Sequence, residues 1–542
     1  MDGQAQCAPG PVRVLAVVSG SCGDPIRESP APVDPRGPRC PRTHLDPRDP
    51  LDSPFLCVLP YRPLRDQDPG PPSSSSSWGI GGLSAAFYLS RSAQVSKVVV
   101  LEGSARVGGW LWSNRRPDGA VFELGPRGVR PVGPTGRNTL NMVEELGLES
   151  EVLPVSQDHV ASQKRFLFVR GQLWEMPRGL SGLLRPTPPF SRALLPLLLS
   201  EVFVSRAEDQ DETLHSFVSR RFSSELADIA VSSLCRGVFA GDSRKLSVRA
   251  CFPDLHRAES QRGSVVLGML LGTVGRPDVA PGPLALRAQR ERWAQWSLRS
   301  GLESLPEALK LQLQSRGVEL HTGAQVRGLQ RTDSGWTVQT ESGPISADHI
   351  VSALPAQALG SVLPSSCSAL ASLLEQVSCV TVAVVSLEYS SAVLPVQGFG
   401  HLLPASEDPA VLGVVYDSVF FPQHNSPEGD STRLTVMMGG AWFQQVFGDP
   451  DHVSTDLLLS RAVSAVTTHL GVKQLPVWSN VALHRDCIPQ YYLGHAQRVE
   501  LMRSWIRDAD LPLSLVGSSY DGVSVNDVIF SGRTAAESLL QT

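Results

Sequence analysis

A run of four apolar residues closes on an acid at Val98-Val99-Val100-Leu101-Glu102, and a basic residue leads a glycine pair soon after, at Arg106-x-Gly108-Gly109. Three of the four apolar residues are Val, the composition of a buried parallel strand. A carboxylate at the end of such a strand accepts hydrogen bonds from both hydroxyls of a ribose. Glycine lets a backbone lie close to a pyrophosphate, and an arginine adds compensating charge. The chemistry these residues suit is the holding of a dinucleotide. Glu102 lies 20 residues beyond Gly82, the interval such a site needs between phosphate loop and ribose acid. The plain alternative is a strand ending in a solvated Glu, with Gly103 opening an ordinary turn.

The elements that must position this acid are a first strand, a glycine loop and a helix. The helix is legible in residues 83–91 (LSAAFYLSR), directly after the glycines. The loop reads Ser77-Trp78-Gly79-Ile80-Gly81-Gly82. Gly79 and Gly82 take the second and third glycine positions. The first is Ser77, and Trp78 fills a place where a small residue admits the phosphate. Pro69-Gly70-Pro71-Pro72 and five serines stand before the loop, so the first strand is expected to be missing. Residues 12–18 (VRVLAVV) are the one strand-like piece upstream, with some 60 residues between them and the loop. They are a candidate surrogate strand. On this reading the chain is expected to hold its dinucleotide weakly.

The first 78 residues carry 16 of the 43 prolines and four of the nine cysteines, and are expected to be disordered. The composition break at Trp78 and Gly79 suggests a segment joined upstream of the true helix. Asp recurs through it, unlike an acid-poor transit peptide. A chain of 542 residues implies two or three lobes, and a net charge of −5 makes no case for nucleic acid. The cysteines show no metal-ligand spacing. Cys235, Cys251, Cys367, Cys379 and Cys487 read as reduced core thiols. No apolar run is long enough to span a bilayer.

Further along, a turn at Asp118-Gly119 precedes Phe122-Glu123-Leu124-Gly125-Pro126-Arg127-Gly128. Gly, Pro and Arg crowded into four residues suggest backbone lying against a ligand; a plain turn is the alternative. Residues 179–203 are Leu-rich, carry Arg185 and Arg192, and are broken by four prolines. They suit either a surface helix dipping into lipid or a buried helix. A helix over 301–317 and strands at 318–321, 336–340 and 350–352 follow. The C-terminus reads as a strand from Leu513, a glycine loop and a final helix. A helix N-terminus there would favour negative charge on a ring system beside it.

With these pieces placed, the chain resembles the vertebrate mitochondrial protoporphyrinogen oxidase family of FAD-dependent, amine-oxidase-like flavoproteins. The resemblance runs from Gly79 to Thr542. It rests on VVVLEGSARVGGW, FELGPRGVRP, SLCRGVFAGDSRKLSVRACFP, ERWAQWSLRSGLE, LPVQGFGHL, CIPQYYLGH and GSSYDGVSVNDVIFSGR. It implies an α/β fold: a Rossmann-like FAD lobe built from 79–159, 278–355 and 490–542, a helical membrane-binding and substrate lobe at 160–277, and a mixed-sheet substrate lobe at 356–489. It implies oxidation of protoporphyrinogen IX to protoporphyrin IX with three oxygen molecules, releasing hydrogen peroxide, on the outer face of the inner mitochondrial membrane. A homodimer and contact with ferrochelatase are implied as partners. The resemblance weights residues 179–203 toward membrane contact.

Carried over by motif, Glu102 would bind the FAD ribose, with Gly103, Arg106, Gly109 and Trp110 along the cofactor. Gly125, Pro126, Arg127 and Gly128 would line the flavin. Val326, and Val523, Ser524 and Val525 from the final helix, would complete that site. In the substrate cleft, Arg165 would pair with a propionate, Phe399 and Leu402 would clamp the macrocycle, and Arg236 and Gly237 would border the cavity. Departures are the missing first strand, Ser77, Trp78, and Ser300 in place of Gly. No protein general base is assigned. A generic FAD amine oxidase and an inactive isoform unable to hold FAD are the competing readings.

Overall fold

The computed structural model describes residues 15–19, 78–207, 211–272, 279–427 and 429–541. A parallel five-stranded sheet lies at its centre, in the order Glu319–His321, Val98–Glu102, Leu15–Ser19, His349–Ser352, Leu513–Leu515. The middle strand corrects the expectation that the first strand is missing and that residues 1–78 are disordered throughout. Leu15 pairs with Val98 and Ser19 with Glu102, while Leu15 to Val18 pair with His349 to Ser352 on the other edge. Leu15, Ala16, Val17 and Val18 are no more than 1% exposed.

The segment can do this because it has neither proline nor charge. Both its edges can enter a ladder and both its faces can be buried. The long connection is a small obstacle. Lengthening a turn of about six residues to the 58 residues from 20 to 77 costs about 2 kcal/mol, because closure entropy grows only with the logarithm of length. Burying a single Leu or Val contributes about 1.5–3 kcal/mol. Ser77 and the rest of the proline- and serine-rich stretch lie outside the described residues. Trp78 and Gly79 form a short parallel bridge with Val107 and Gly108.

The helix Ile80–Leu89 packs against the last helix, Val525–Gln541, at backbone distance. A Cβ on Gly532 would come within 2.6 Å of the Gly81 carbonyl oxygen and 2.7 Å of the Ala85 nitrogen. Ser84 Oγ donates to the Ile529 carbonyl at 2.7 Å across the same seam. First and last segments thus close one layer over the sheet.

A second sheet of seven strands runs Trp478–Pro489, Cys379–Tyr389, Thr432–Gly440, Val411–Val415, Gly400–Leu402, Phe166–Val169, Gln172–Glu175. Its last two strands come from residues 160–277, where the sequence pattern reads as helical, so that stretch also donates a hairpin to the seven-stranded sheet. Beyond them the stretch 179–203 forms two short helices, Gly179–Leu184 and Leu194–Glu201, because Pro186, Pro188 and Pro189 part them. Leu194–Glu201 is clamped from below. Arg221, fully buried, bonds Glu201 Oε1 at 2.7 Å and Glu259 Oε1 at 3.0 Å through Nε. Glu201 also accepts the Val265 N–H at 2.9 Å, which ties this helix to Val265–Leu271. Cys235, Cys251, Cys367, Cys379 and Cys487 are free thiols.

Candidate active site

In a parallel sheet, ligands lie beyond the carboxyl ends of the strands. Here that edge opens into a cleft of about 840 Å³, counted out to its mouth. Its floor is the turn after His349–Ser352 (Ala353, Leu354) and the turn after Leu513–Leu515 (Gly517, Ser518). Gly79, Ile80 and Gly81 form one end, at the start of the helix Ile80–Leu89. Among the described residues no side chain caps that helix start, and no acid sits in its first turn. Its N–H groups and dipole favour an anion. Trp110, Pro126, Val523 and Val525 form the facing wall.

Glu102 ends its strand fully buried, with Oε1 accepting the Ser104 N–H at 2.5 Å. Arg106 does not project along the cleft. Its guanidinium donates to the carbonyls of Val107 (3.1 Å), Leu111 (3.3 Å) and Gly109, and pairs with Glu303 at 3.2 Å. It fixes the glycine turn, whose Gly108 and Gly109 have φ of +109° and +62°. Next to it, a Cβ on Gly125 would fall 1.8 Å from the Trp110 carbonyl oxygen. His484 Nε2 bonds the Leu124 carbonyl at 2.6 Å, and its ring meets Trp110 edge-on at 4.9 Å. Burial holds His484 at about 4, so the neutral ring donates that bond. Arg127 pairs with Asp417 at 3.2 Å and leaves Nη2 buried with no hydrogen-bond partner among the described residues.

A second group of side chains adjoins the cleft. The strand Gly400–Leu402 runs parallel to Phe166–Val169, with His401 opposite Phe166 and Leu402 opposite Leu167. That register sets Arg165 beside Phe399, whose N–H donates to the Lys164 carbonyl at 2.9 Å. The Arg165 guanidinium lies 5.7 Å from the Phe399 ring centre. Leu402 lies against Gly237, where a Cβ would come within 2.7 Å of Leu402 Cδ2. Phe399 meets Phe420 edge-on at 4.9 Å, and a Cβ on Gly128 would stand 3.1 Å from the Phe420 ring. One wall therefore runs from Pro126 in the cleft through Gly128, Phe420 and Phe399 to Arg165. Partial desolvation, then the like charge of Arg130, holds Arg165 below its ordinary value.

The flavin containing amine oxidoreductase family model matches residues 80–540. Protoporphyrinogen oxidases of Macaca fascicularis and Homo sapiens are each 52% identical over 466 residues, covering 86% of this chain and 97% of theirs. The chain belongs to the protoporphyrinogen oxidase family. A crystal structure from Exiguobacterium, of a protein provisionally named protoporphyrinogen oxidase, matches with a TM-score of 0.69 at 23% identity. It covers 86% of this chain and 98% of that one, and supports the fold. Family membership makes the chain an FAD-dependent oxidoreductase. The residues present fit FAD. The uncapped helix start suits the pyrophosphate, Glu102 ends the ribose strand, and the unpartnered Arg127 Nη2 lies beside a loop with no room for a side chain at Gly125.

Of the residues the motifs assigned to the cofactor, Gly79, Trp110, Pro126, Val523 and Val525 line the cleft. Gly82 is buried within the first helix. Val326 is buried in the core two residues beyond Ala324, whose N–H bonds the Glu102 carbonyl. Ser524 caps the final helix: its Oγ accepts the Asp527 N–H at 3.2 Å and donates to the Asp527 carboxylate at 2.6 Å. Arg236, expected to border the cavity with Gly237, sits behind that wall. It is 1% exposed, donates to the carbonyls of Asp408 and Val411, and stacks 4.3 Å from Trp442. It braces the wall behind Gly237 through Nη2, while its Nε and Nη1 are buried with no hydrogen-bond partner among the described residues. Cys379 and Cys487, read as core thiols, and the turns at Ala353 and Gly517 line the cleft without having been assigned to the site. For the turns the signal was present, since each follows a strand of the parallel sheet. For the cysteines it was not, because antiparallel pairing across a hundred residues brings them there.

Proposed function

We propose that the chain oxidises protoporphyrinogen IX to protoporphyrin IX, with oxygen as the final acceptor and hydrogen peroxide as co-product. The observation that carries this reading is the unbroken wall from the FAD cleft to an arginine over an aromatic ring. It suits a flat or puckered apolar macrocycle bearing a carboxylate. The names of the half-identical relatives support the same substrate. FAD bound in the cleft supplies the acceptor for hydride. The chain's own residues do the rest. Arg165 holds a carboxylate at the outer end. Phe399 and Leu402 grip the macrocycle and keep water from its inner face. His484 and Arg106 hold the Leu124–Gly125 and Gly108–Gly109 turns that set the cofactor's position. The test is direct: purified chain incubated with protoporphyrinogen IX, with porphyrin fluorescence and peroxide followed together. Growth of fluorescence without three equivalents of peroxide would defeat the reading.

The same proposal places the protein on the surface of the inner mitochondrial membrane. Among the described residues no helix is long and apolar enough to cross a bilayer. Leu199, Phe203, Met269, Leu270 and Leu271 are 61–88% exposed at the ends of two helices that Glu201 ties together. Arg185, Arg192 and Arg206 are exposed on the same segment. An apolar tip ringed by cations suits an anionic lipid surface. Changing Leu199, Met269 and Leu270 together to Ser should abolish sedimentation with cardiolipin-containing liposomes while the thermal transition stays in place. Retained sedimentation would remove the membrane reading.

A further inference from the structure

Most arginines near the two clefts are already committed. Arg106 pairs with Glu303, Arg127 with Asp417 and Arg116 with Glu388. Arg433 is spent on the carbonyls of Val121 and Phe421 and on Asn425. Arg165 and Arg130 differ. Neither has an ion pair or a side-chain hydrogen bond to any described residue, and both stand on one aromatic wall: Arg165 lies over the Phe399 ring, and Arg130 follows two residues after Gly128, which abuts the Phe420 ring beside Phe399.

Arg130 is also well placed by its backbone. It belongs to the segment that supplies the shared wall: Pro126 at the cleft, Arg127 on Asp417, Gly128 against Phe420, Val129 bridged to Trp296. Its carbonyl oxygen accepts a 2.8 Å bond from Asn526 Nδ2, on the final helix next to the cleft-lining Val525. That fastening holds Arg130 at the junction of the FAD cleft and the aromatic wall. Its side chain remains exposed. Two like charges on one exposed wall repel each other weakly across solvent in the free protein. An incoming pair of carboxylates relieves that repulsion.

We infer that Arg130 and Arg165 together form a two-carboxylate clamp, Arg130 taking the second carboxylate of the tetrapyrrole substrate. The inference rests on the substrate reading above and adds what that reading lacks. A single arginine cannot distinguish a macrocycle with two neighbouring carboxylates from one with a single carboxylate. A pair can, because the second carboxylate is rewarded only when both sit on the same edge of the ring.

The experiment uses the full-length FAD-loaded protein and two readouts. The first is turnover of protoporphyrinogen IX by the wild type, Arg130→Gln, Arg130→Lys and Arg165→Ala. The second is binding of mesoporphyrin IX, an unreactive dicarboxylate, against its monomethyl and dimethyl esters, read by porphyrin fluorescence. Arg130→Gln should weaken mesoporphyrin binding by ten- to hundredfold and raise KM by a similar factor. The same change should alter binding of the dimethyl ester less than twofold, and Arg130→Lys should recover part of the loss. FAD absorbance should match wild type throughout. Equal affinity of wild type and Arg130→Gln for mesoporphyrin would show a solvated surface arginine and overturn the clamp. An equal loss for diacid and diester would show a packing role and overturn it too. If the wild type binds mesoporphyrin through both arginines yet fails to oxidise protoporphyrinogen, the substrate reading fails and the clamp stands.

Discussion

Replacing Gly125 by Ala would drive a Cβ to 1.8 Å from the Trp110 carbonyl, so one of the two cofactor-lining turns must move. Overpacking of this kind costs about 1–3 kcal/mol, and here the displaced atoms are backbone. Gly125→Ala should therefore purify with less FAD, read as the ratio of flavin to protein absorbance, and should melt earlier. Arg165→Ala should leave FAD content unchanged and raise KM, with a loss of about 1.5–3 kcal/mol in kcat/KM, the range for a hydrogen bond to a charged group. An unchanged KM would remove Arg165 from the substrate site. At this scale the sequence was partly legible. Glu102 and the glycine pair could be read because the strand, the acid and the turn are contiguous. Arg106 and Arg236 could not, since the carbonyls that occupy them are chosen by the fold. Ser524 was assigned to the cofactor by motif, but its cap on Asp527 was not read, although Ser followed three residues later by Asp is a helix-start pattern.

At the scale of elements, the informative case is the strand Leu15–Ser19. Its apolar, β-branched character was visible, and its distance from the helix argued against it. Distance along the chain is a weak penalty, whereas the empty central place in a parallel sheet is a strong one. Leaving that place vacant would strip both neighbours of a ladder and expose their faces. Val17→Pro should therefore be severe, because it removes a ladder donor in the central strand and clashes with it. The expected result is loss of the FAD spectrum and of the cooperative thermal transition. Replacing residues 20–77 by a six-residue glycine-rich turn should instead retain FAD and raise stability by about 2 kcal/mol through the shorter closure. Loss of FAD in that shortened chain would show that the connection contributes more than length. The hairpin Phe166–Glu175 carries the opposite lesson. Its sheet partner begins at Gly400, and no local pattern announces a parallel pairing so far along the chain.

At the scale of the molecule, several histidines are buried as neutral groups. His424, His469 and His484 are each held at about 4 by burial, and His401 well below its ordinary value by burial and then by His469. Each binds a proton more readily when unfolded, near pH 6.5. Their contribution to stability is whole above that pH and is lost progressively as pH falls toward 4. Glu123, raised to about 7 by burial, acts in the opposite direction between its unfolded value and 7, but it is one group against several. Melting temperature should therefore fall steeply from pH 6.5 to 4.5, and His469→Gln should flatten part of that slope. A melting temperature constant across this range would contradict the neutral assignments. The sheet order has a further consequence, for the timing of synthesis. Leu15–Ser19 leaves the ribosome early, but its second neighbour starts at His349 and the last helix ends at Gln541. At about 5–20 residues per second, the strand waits roughly 20–60 s for that neighbour. The cleft takes its lining from Gly79 at one end to Val528 in the last helix, so a nascent chain that has not yet exposed that helix has no complete site to receive FAD.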